Sequence, residues 1–323
     1  MVAPLSRRAL LAAPALLLAG PAHAAWPDRP LRLVHGFGAG GNPDTIGRIV
    51  AARLAELLGQ PCVVEPRPGA SGIPASELVA RSAPDGHVLV ILTGGHPVSA
   101  ALSNRLPFHP VQDFAFISLF TEFPLLAVTR PDHPAADLRA MLALTRQQAR
   151  PLFIASGAGR ATTQGLSAEL VGQISGAEVQ HVAYPSMAGA HADLLTGRLD
   201  LILDTPITLL AQLREGRMRA LAVSSTTPYP PLPGVPTMQQ AGLPGYDVTS
   251  WLGLAGPAGL PAEIIARLNA ACATVLAEPE PRTRLEALGN VVRPSTPAAF
   301  RDRVAADVAK WSAVVARAGI ERG

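Results

Sequence analysis

Gly36, Gly38, Gly40 and Gly41 stand between an apolar run, LRLVH, and a stretch of helical periodicity. Glycines before a helix start make anion chemistry available: their amides are unshielded, and the helix end carries partial positive charge. Three chemistries compete for such a loop. Gly36, Gly38 and Gly41 satisfy G-x-G-x-x-G, and Glu65 in CVVE falls about where a ribose-binding acid would sit, which points to a nicotinamide-dependent oxidoreductase. Read as HGFG, the same residues mimic the oxyanion loop of an esterase. Read as a loop lying wholly before its helix, they suit a small carboxylate or a phosphate.

The start of the following helix separates these readings. Asn42 is a good N-cap, Pro43 fits the first helical position and Asp44 suits the first turn. In a dinucleotide fingerprint the helix begins among the glycines. Pro43 would then lie one turn inside, at a cost of about 3 kcal/mol. The loop over 37–41 is therefore expected outside the helix. A hydrolase needs G-x-S-x-G at a strand–helix elbow. Ser71 has Gly69 and Gly72 at the wrong spacing, and Ser156 has no flanking glycine pair.

A second polar loop, GAGRATTQ, follows the strand-like LFIAS and carries Arg160, Thr162 and Thr163. Its hydroxyls and amides can meet a carboxylate, or the threonines can cap the next helix. Asp204 ends the run LDLILD, where it either faces a ligand or caps the helix after it. His96 follows HVLVILTGG at a strand end, as a ligand contact or a hydrogen-bonded structural residue.

These residues need elements to hold them. LRLVH, CVVE and HVLVILT read as strands. Ile46, Ile49, Val50, Leu54, Leu57 and Leu58 recur at helical spacing until Gly59 stops them, and a short helix is predicted over 76–81. Strand–helix–strand alternation predicts an α/β unit with a parallel sheet. FAFISLF and PLLAVT follow as strands. A second unit repeats the pattern: helices over 137–148 and 188–195, a helix at GLSAELVGQIS, one over 209–214, and strands at LFIAS, VQHVAY, LDLILD and MRALAVS. The Pro-rich TTPYPPLPGVPT is an irregular connection, and WLGLAG and helices over 261–277, 281–288 and 297–318 complete the chain. Two α/β lobes imply a cleft lined by strand C-terminal ends.

Composition narrows the setting. The chain has 323 residues, 48% of them hydrophobic, and a formal charge of +3 that includes Arg7 and Arg8 near its start. Those arginines, the run ALLAAPALLLAG and Ala22-His23-Ala24 read as an export signal over 1–24, of twin-arginine or general secretory type. Export is expected by either route. Basic residues are scattered and Lys310 is the only lysine, so nucleic acid is not an expected partner. Cys62 and Cys272 are the only cysteines. They lie in a predicted buried strand and inside a helix, and read as two separate core residues, with a disulfide as the alternative. No pair of histidines has zinc-site spacing.

Taken together, LRLVHGFGAGGNPD, GQPCVVEPRPGASG, APDGHVLVILTGGH, DLLTGRLDLILD and LPGVPTMQQAGLPGYDVTSWLGLAGPAGLPAEIIARLNAA resemble the periplasmic substrate-binding proteins of tripartite tricarboxylate transporters, the Bug family. The resemblance runs from Trp26 to the C-terminus. It implies an α/β fold of the type II periplasmic binding protein, or Venus-flytrap, kind, with no catalysis, cofactor or metal. Lobe one is expected over 26–130 and 226–323, and lobe two over 131–225. Such a protein closes on a small carboxylate (a di- or tricarboxylate, an acidic amino acid or an aromatic acid). It delivers this ligand, as a monomer, to membrane permease subunits or to a signalling receptor. By this resemblance the ligand residues are Phe37, Ala39, Gly40, Gly41, Asn42 and Asp44 of the first loop, with Thr93 and His96. The second lobe supplies Ser156, Arg160, Thr162, Thr163, Asp204 and Thr205. Pro43, Arg160 and Gly165 depart from the usual family pattern, so specificity does not carry over.

Overall fold

Leu31, Leu33 and Val34 are buried completely because their strand lies inside a sheet with helices on both faces. The computed structural model describes residues 26–155, 162–184 and 187–322. The expected export signal, Ser156 and Arg160 lie outside the described residues. The chain runs through β1 (Leu31–His35), α1 (Asn42–Leu58), β2 (Cys62–Pro66), α2 (Ile73–Ala80), β3 (Val88–Thr93), α3 (Gly95–Leu102) and β4 (Phe114–Pro124). It continues through β5 (Leu126–Thr129), α4 (Leu138–Gln147), β6 (Leu152–Ala155), α5 (Thr163–Ser175), β7 (Val179–Val182), α6 (Met187–Leu195), β8 (Leu201–Asp204), α7 (Pro206–Arg214) and β9 (Arg219–Val223). It ends with β10 (Thr249–Pro257), α8 (Ala262–Ala277), α9 (Pro279–Ala287), β11 (Val291–Val292) and α10 (Pro297–Arg317).

Two sheets result, one per lobe, in the two-lobed α/β architecture expected. The first has the order β11-β4-β10-β3-β1-β2 and the second β7-β6-β8-β5-β9. β1 pairs in parallel with β2 and β3, and β6 in parallel with β7 and β8. The sheets are mixed rather than parallel throughout. β10 runs antiparallel to β3 and β4, and β5 antiparallel to β8 and β9, because each enters its sheet from the other lobe.

The structure moves both lobe crossings. The first falls at Leu125 instead of after 130, since β4 belongs to the first sheet and β5 to the second. The return falls at Val248–Thr249 instead of at 225–226. Met238, Leu243, Tyr246 and Val248 are buried in one cluster with Leu138 and Met141 of the second lobe, which holds the segment there. Ser224 joins the two crossings. Leu125 N–H donates to its hydroxyl at 2.7 Å, that hydroxyl donates to Val248 O, and Ser224 N–H donates to Leu125 O at 2.9 Å. Away from the crossings, Trp311, Val314 and Val315 of α10 share the second lobe's apolar cluster with Leu166 and Leu170 of α5.

Local differences have local causes. α3 was not expected, because Gly95, His96 and Pro97 obscure a helix that begins right after β3. β4 runs unbroken for 11 residues, farther than FAFISLF, because β10 pairs with it to Pro124. Cys62 and Cys272 are both free thiols, as the reading of two separate residues anticipated. Among the described residues, no helix is long and apolar enough to cross a membrane.

Candidate functional site

The strand C-terminal ends of both sheets meet a cleft of about 720 Å³ that is lined from both lobes. From the first lobe come Phe37, Gly38, Ala39, Gly41, Asn42 and Pro43, with Ser71, Thr93 and Gly95. From the second come Thr162, Thr163, Gln164, Met187 and Thr205. Phe123, Leu125, Ser250 and Leu252 form the floor beside the crossings.

The glycine loop lies wholly before its helix. The N-cap is Gly41, with Asn42 and Pro43 opening the helix, one residue earlier than expected. A four-glycine loop that ends before Pro43 does not have the dinucleotide-fingerprint geometry, in which the helix starts among the glycines. Two of the glycines are required by the backbone. A β-carbon on Gly36 would stand 2.1 Å from Gly72 Cα, and Gly40 has φ of +78°.

Asp44 builds this loop from behind. Its carboxylate is 3% exposed and accepts from Gly40 N–H at 2.9 Å, from Arg48 Nε at 2.9 Å and from Arg48 Nη2 at 2.8 Å. The Arg48 guanidinium, with the Gly40 and His35 hydrogen bonds, holds its pKa at about 2 against the opposing effect of burial. His35 Nε2 lies 3.2 Å from Asp44 Oδ1, while its Nδ1 accepts from Phe37 N–H at 3.4 Å. That pattern puts the proton on Nε2 of a neutral ring, and burial lowers the His35 pKa accordingly. Asp44 and Gly40 therefore act on the cleft through the loop. Neither is among the residues lining the cleft.

His96 is likewise set back. Its Nε2 donates to Pro110 O at 2.9 Å and its Nδ1 lies 3.3 Å from Ser76 Oγ. The ring stacks on Phe108, and burial pushes its pKa down to about 4. These contacts give it a structural role in the first turn of α3. Thr93 does reach the cleft, with its hydroxyl accepting from Gly95 N–H at 3.1 Å.

In the second lobe Thr162 caps α5, its hydroxyl accepting from Gly165 N–H at 3.0 Å. Thr162 and Thr163 both line the cleft. Asp204 does not. It is 3% exposed, accepting from Thr205 N–H at 2.7 Å and Thr208 Oγ1 at 2.8 Å. Burial raises its pKa, partly offset by these bonds and one from the Gln164 side chain. Of its two expected roles, the structure favours organising the start of α7, with Thr205 left at the cleft wall.

Sequence reasoning missed Ser71, Gly95, Gln164, Met187, Phe123, Leu125, Ser250 and Leu252 as lining residues. Gln164 closes the GAGRATTQ loop and was within reach. The floor residues carry no local signal, since their place follows from where the chain crosses. Among the described residues, no charged side chain lines the cleft. Its polarity comes from the N-terminal ends of α1, α3, α5 and α7, from hydroxyls, and from Asn42, whose Oδ1 is buried without a protein partner. Four helix N-terminal ends at one cavity with no charged side chain among its described residues are an arrangement suited to an anion.

Residues 46–320 match the family model described as tripartite tricarboxylate transporter family receptor. MatC from Rhodopseudomonas palustris, solved with bound malate, is 34% identical with a TM-score of 0.78, over 90% of this chain and 99% of that one. Rpa4515 from R. palustris, solved with adipate, is 32% identical with a TM-score of 0.80, over 92% of this chain and 99% of that one. BugT of Bordetella pertussis is 30% identical over 91% of this chain and 90% of its own.

Proposed function

This chain belongs to the tripartite tricarboxylate transporter receptor family, a family of solute-binding receptors, and on that premise we propose that it captures a small carboxylate. The observation that carries this reading is the cleft itself. A wall with no charged side chain among its described residues and with convergent helix N-terminal ends favours an anion. The malate and adipate held by the two solved relatives are both dicarboxylates, which supports the same class.

The protein takes part in capture and delivery, with no chemical step. It is exported and works as a monomer, handing its ligand to the membrane permease subunits of a tripartite tricarboxylate transporter. Amides of the glycine loop and the Asn42 side chain hold one end of the ligand. The start of α5 and Thr205 hold the other when the lobes close.

Thermal melting tests the reading. Protein that has been unfolded, dialysed and refolded is screened against mono-, di- and tricarboxylates, acidic amino acids and aromatic acids, with NAD(H) and NADP(H) alongside. A ligand at 100 times its dissociation constant stabilises by about 2.7 kcal/mol. That raises the midpoint by several degrees. Stabilisation by a nicotinamide cofactor with every carboxylate silent would overturn the proposal.

A further inference from the structure

The cleft separates into polar ends and an apolar middle. Most of its polar groups sit at helix starts, Asn42 at α1, Gly95 at α3, Thr163 and Gln164 at α5 and Thr205 at α7, while Ser71 and Ser250 stand apart from them. Several of the hydroxyls there already serve their own loops. Thr93 Oγ1 accepts from Gly95 N–H, and Thr162 Oγ1 from Gly165 N–H. The floor between the lobes is different. Phe123 and Leu125 flank the first crossing, and Leu252 lies on β10 beside them. Phe37 and Pro43 continue this surface on the first lobe, and Met187 faces it from the second. The Phe37 ring is tucked into the first lobe's wall, since β-carbons at Gly72 and Gly95 would stand 3.8 and 3.7 Å from it.

Building on the carboxylate reading above, we propose that the ligand is an acid with an unsubstituted apolar body, aliphatic or aromatic. Phe37, Pro43, Phe123, Leu125, Met187 and Leu252 are the residues that select it. The carboxylate end is recognised by amides at the helix starts. The body is recognised by water-free contact with this belt. Against the belt a hydroxyl or an extra carboxylate on the body would lose its water, and Ser250 is the one polar side chain among the described floor residues to receive it, so most such groups would be buried unpaired, which is unfavourable. An apolar pocket discriminates only moderately against an added hydroxyl. Several hydroxyls on one chain give a clear separation.

The test compares adipate with galactarate, its hydroxylated counterpart of equal length and charge, by calorimetry on refolded protein. Adipate is expected to bind about ten- to a hundredfold more tightly. Equal affinities, or tighter binding of galactarate, overturn the apolar-body proposal and leave the carboxylate reading standing. Silence of both, together with silence of every acid in the melting screen, removes the carboxylate reading and this proposal with it. Met187→Gln supplies the second arm. It keeps the side-chain length at a partly exposed position opening α6, so the unliganded melting temperature stays within about 2 °C of wild type while the adipate preference narrows at least threefold. A preference unchanged in Met187→Gln shows that the belt does not set it.

Discussion

Replacing Asp44 by Asn should loosen the glycine loop while leaving every cleft-lining side chain in place. Asp44 accepts four hydrogen bonds, from Gly40 N–H, two Arg48 nitrogens and His35 Nε2. An amide of the same size keeps one oxygen for them and turns a donor toward the rest. The displacement of the Asp44 pKa from 3.8 to about 2 corresponds to about 2 kcal/mol favouring the anion. Solvent screening removes part of this, because Arg48 is 54% exposed. The fully buried His35 then loses its acceptor, which adds about 1–3 kcal/mol. The net expectation is a loss of about 2–3 kcal/mol, or a melting point lower by roughly 4–8 °C. Because Gly40 N–H fixes the loop through Asp44, carboxylate affinity should fall at least tenfold. Arg48→Ala is the control. It removes the exposed partner alone and should lower the melting point less than Asp44→Asn. A melting point within 1 °C of wild type and a dissociation constant within twofold would refute the role given to Asp44. Equal losses in the two variants would reassign its carboxylate to an ion pair.

Gly41→Val tests the loop from the cleft side. The φ of −71° suits any residue, but the new β-carbon stands 3.3 Å from Gly38 O on the cleft wall, so ligand binding should be lost while the melting point of unliganded protein stays close to wild type. His96 should make stability fall with acid. Its folded pKa of about 4 lies below the ordinary 6.5, so its contribution is complete above 6.5 and is lost as pH falls through 4, up to about 3 kcal/mol. Urea unfolding at pH 7 and pH 4.5 should show His96→Gln losing less stability on acidification than wild type, and parallel losses would count against that assignment.

What was legible in the sequence is what local chemistry fixes. Gly59 ends α1 in the left-handed conformation with φ of 73°, and Pro43 shows that the glycines precede the helix. Both follow from one residue and its neighbours. Residues whose role depends on packing were placed less well. His96 and Asp204 do sit at strand ends, but only the folded neighbourhood shows that Pro110 O and Thr208 occupy them. The return crossing was displaced for a similar reason. TTPYPPLPGVPT looks like a linker, while Met238 and Tyr246 beyond it belong to a core whose other half lies around Leu138. The floor formed by Phe123, Leu125 and Leu252 needs β4, β5 and β10 to converge first.

On the proposed reading, the arrangement would also couple capture to closure. Both carboxylates near the cleft, Asp44 and Asp204, are withdrawn behind its walls, one in each lobe. Each orders the start of a helix, and neither adds negative charge to the lining. The surfaces facing each other across the cleft are then α1 and α3 on one side and α5 and α7 on the other, all presenting positive ends. Bringing those ends together without a ligand opposes like partial charges in a space that is losing water. An anion between them reverses the sign of that interaction. Ser224 keeps the two crossings bonded to each other, so the two connections between the lobes are held side by side. A ligand can shift such an equilibrium only by its difference in affinity for the two states. On the proposed reading, that difference would come from the second lobe's helix ends, α5 and α7, meeting the acid held by the first lobe.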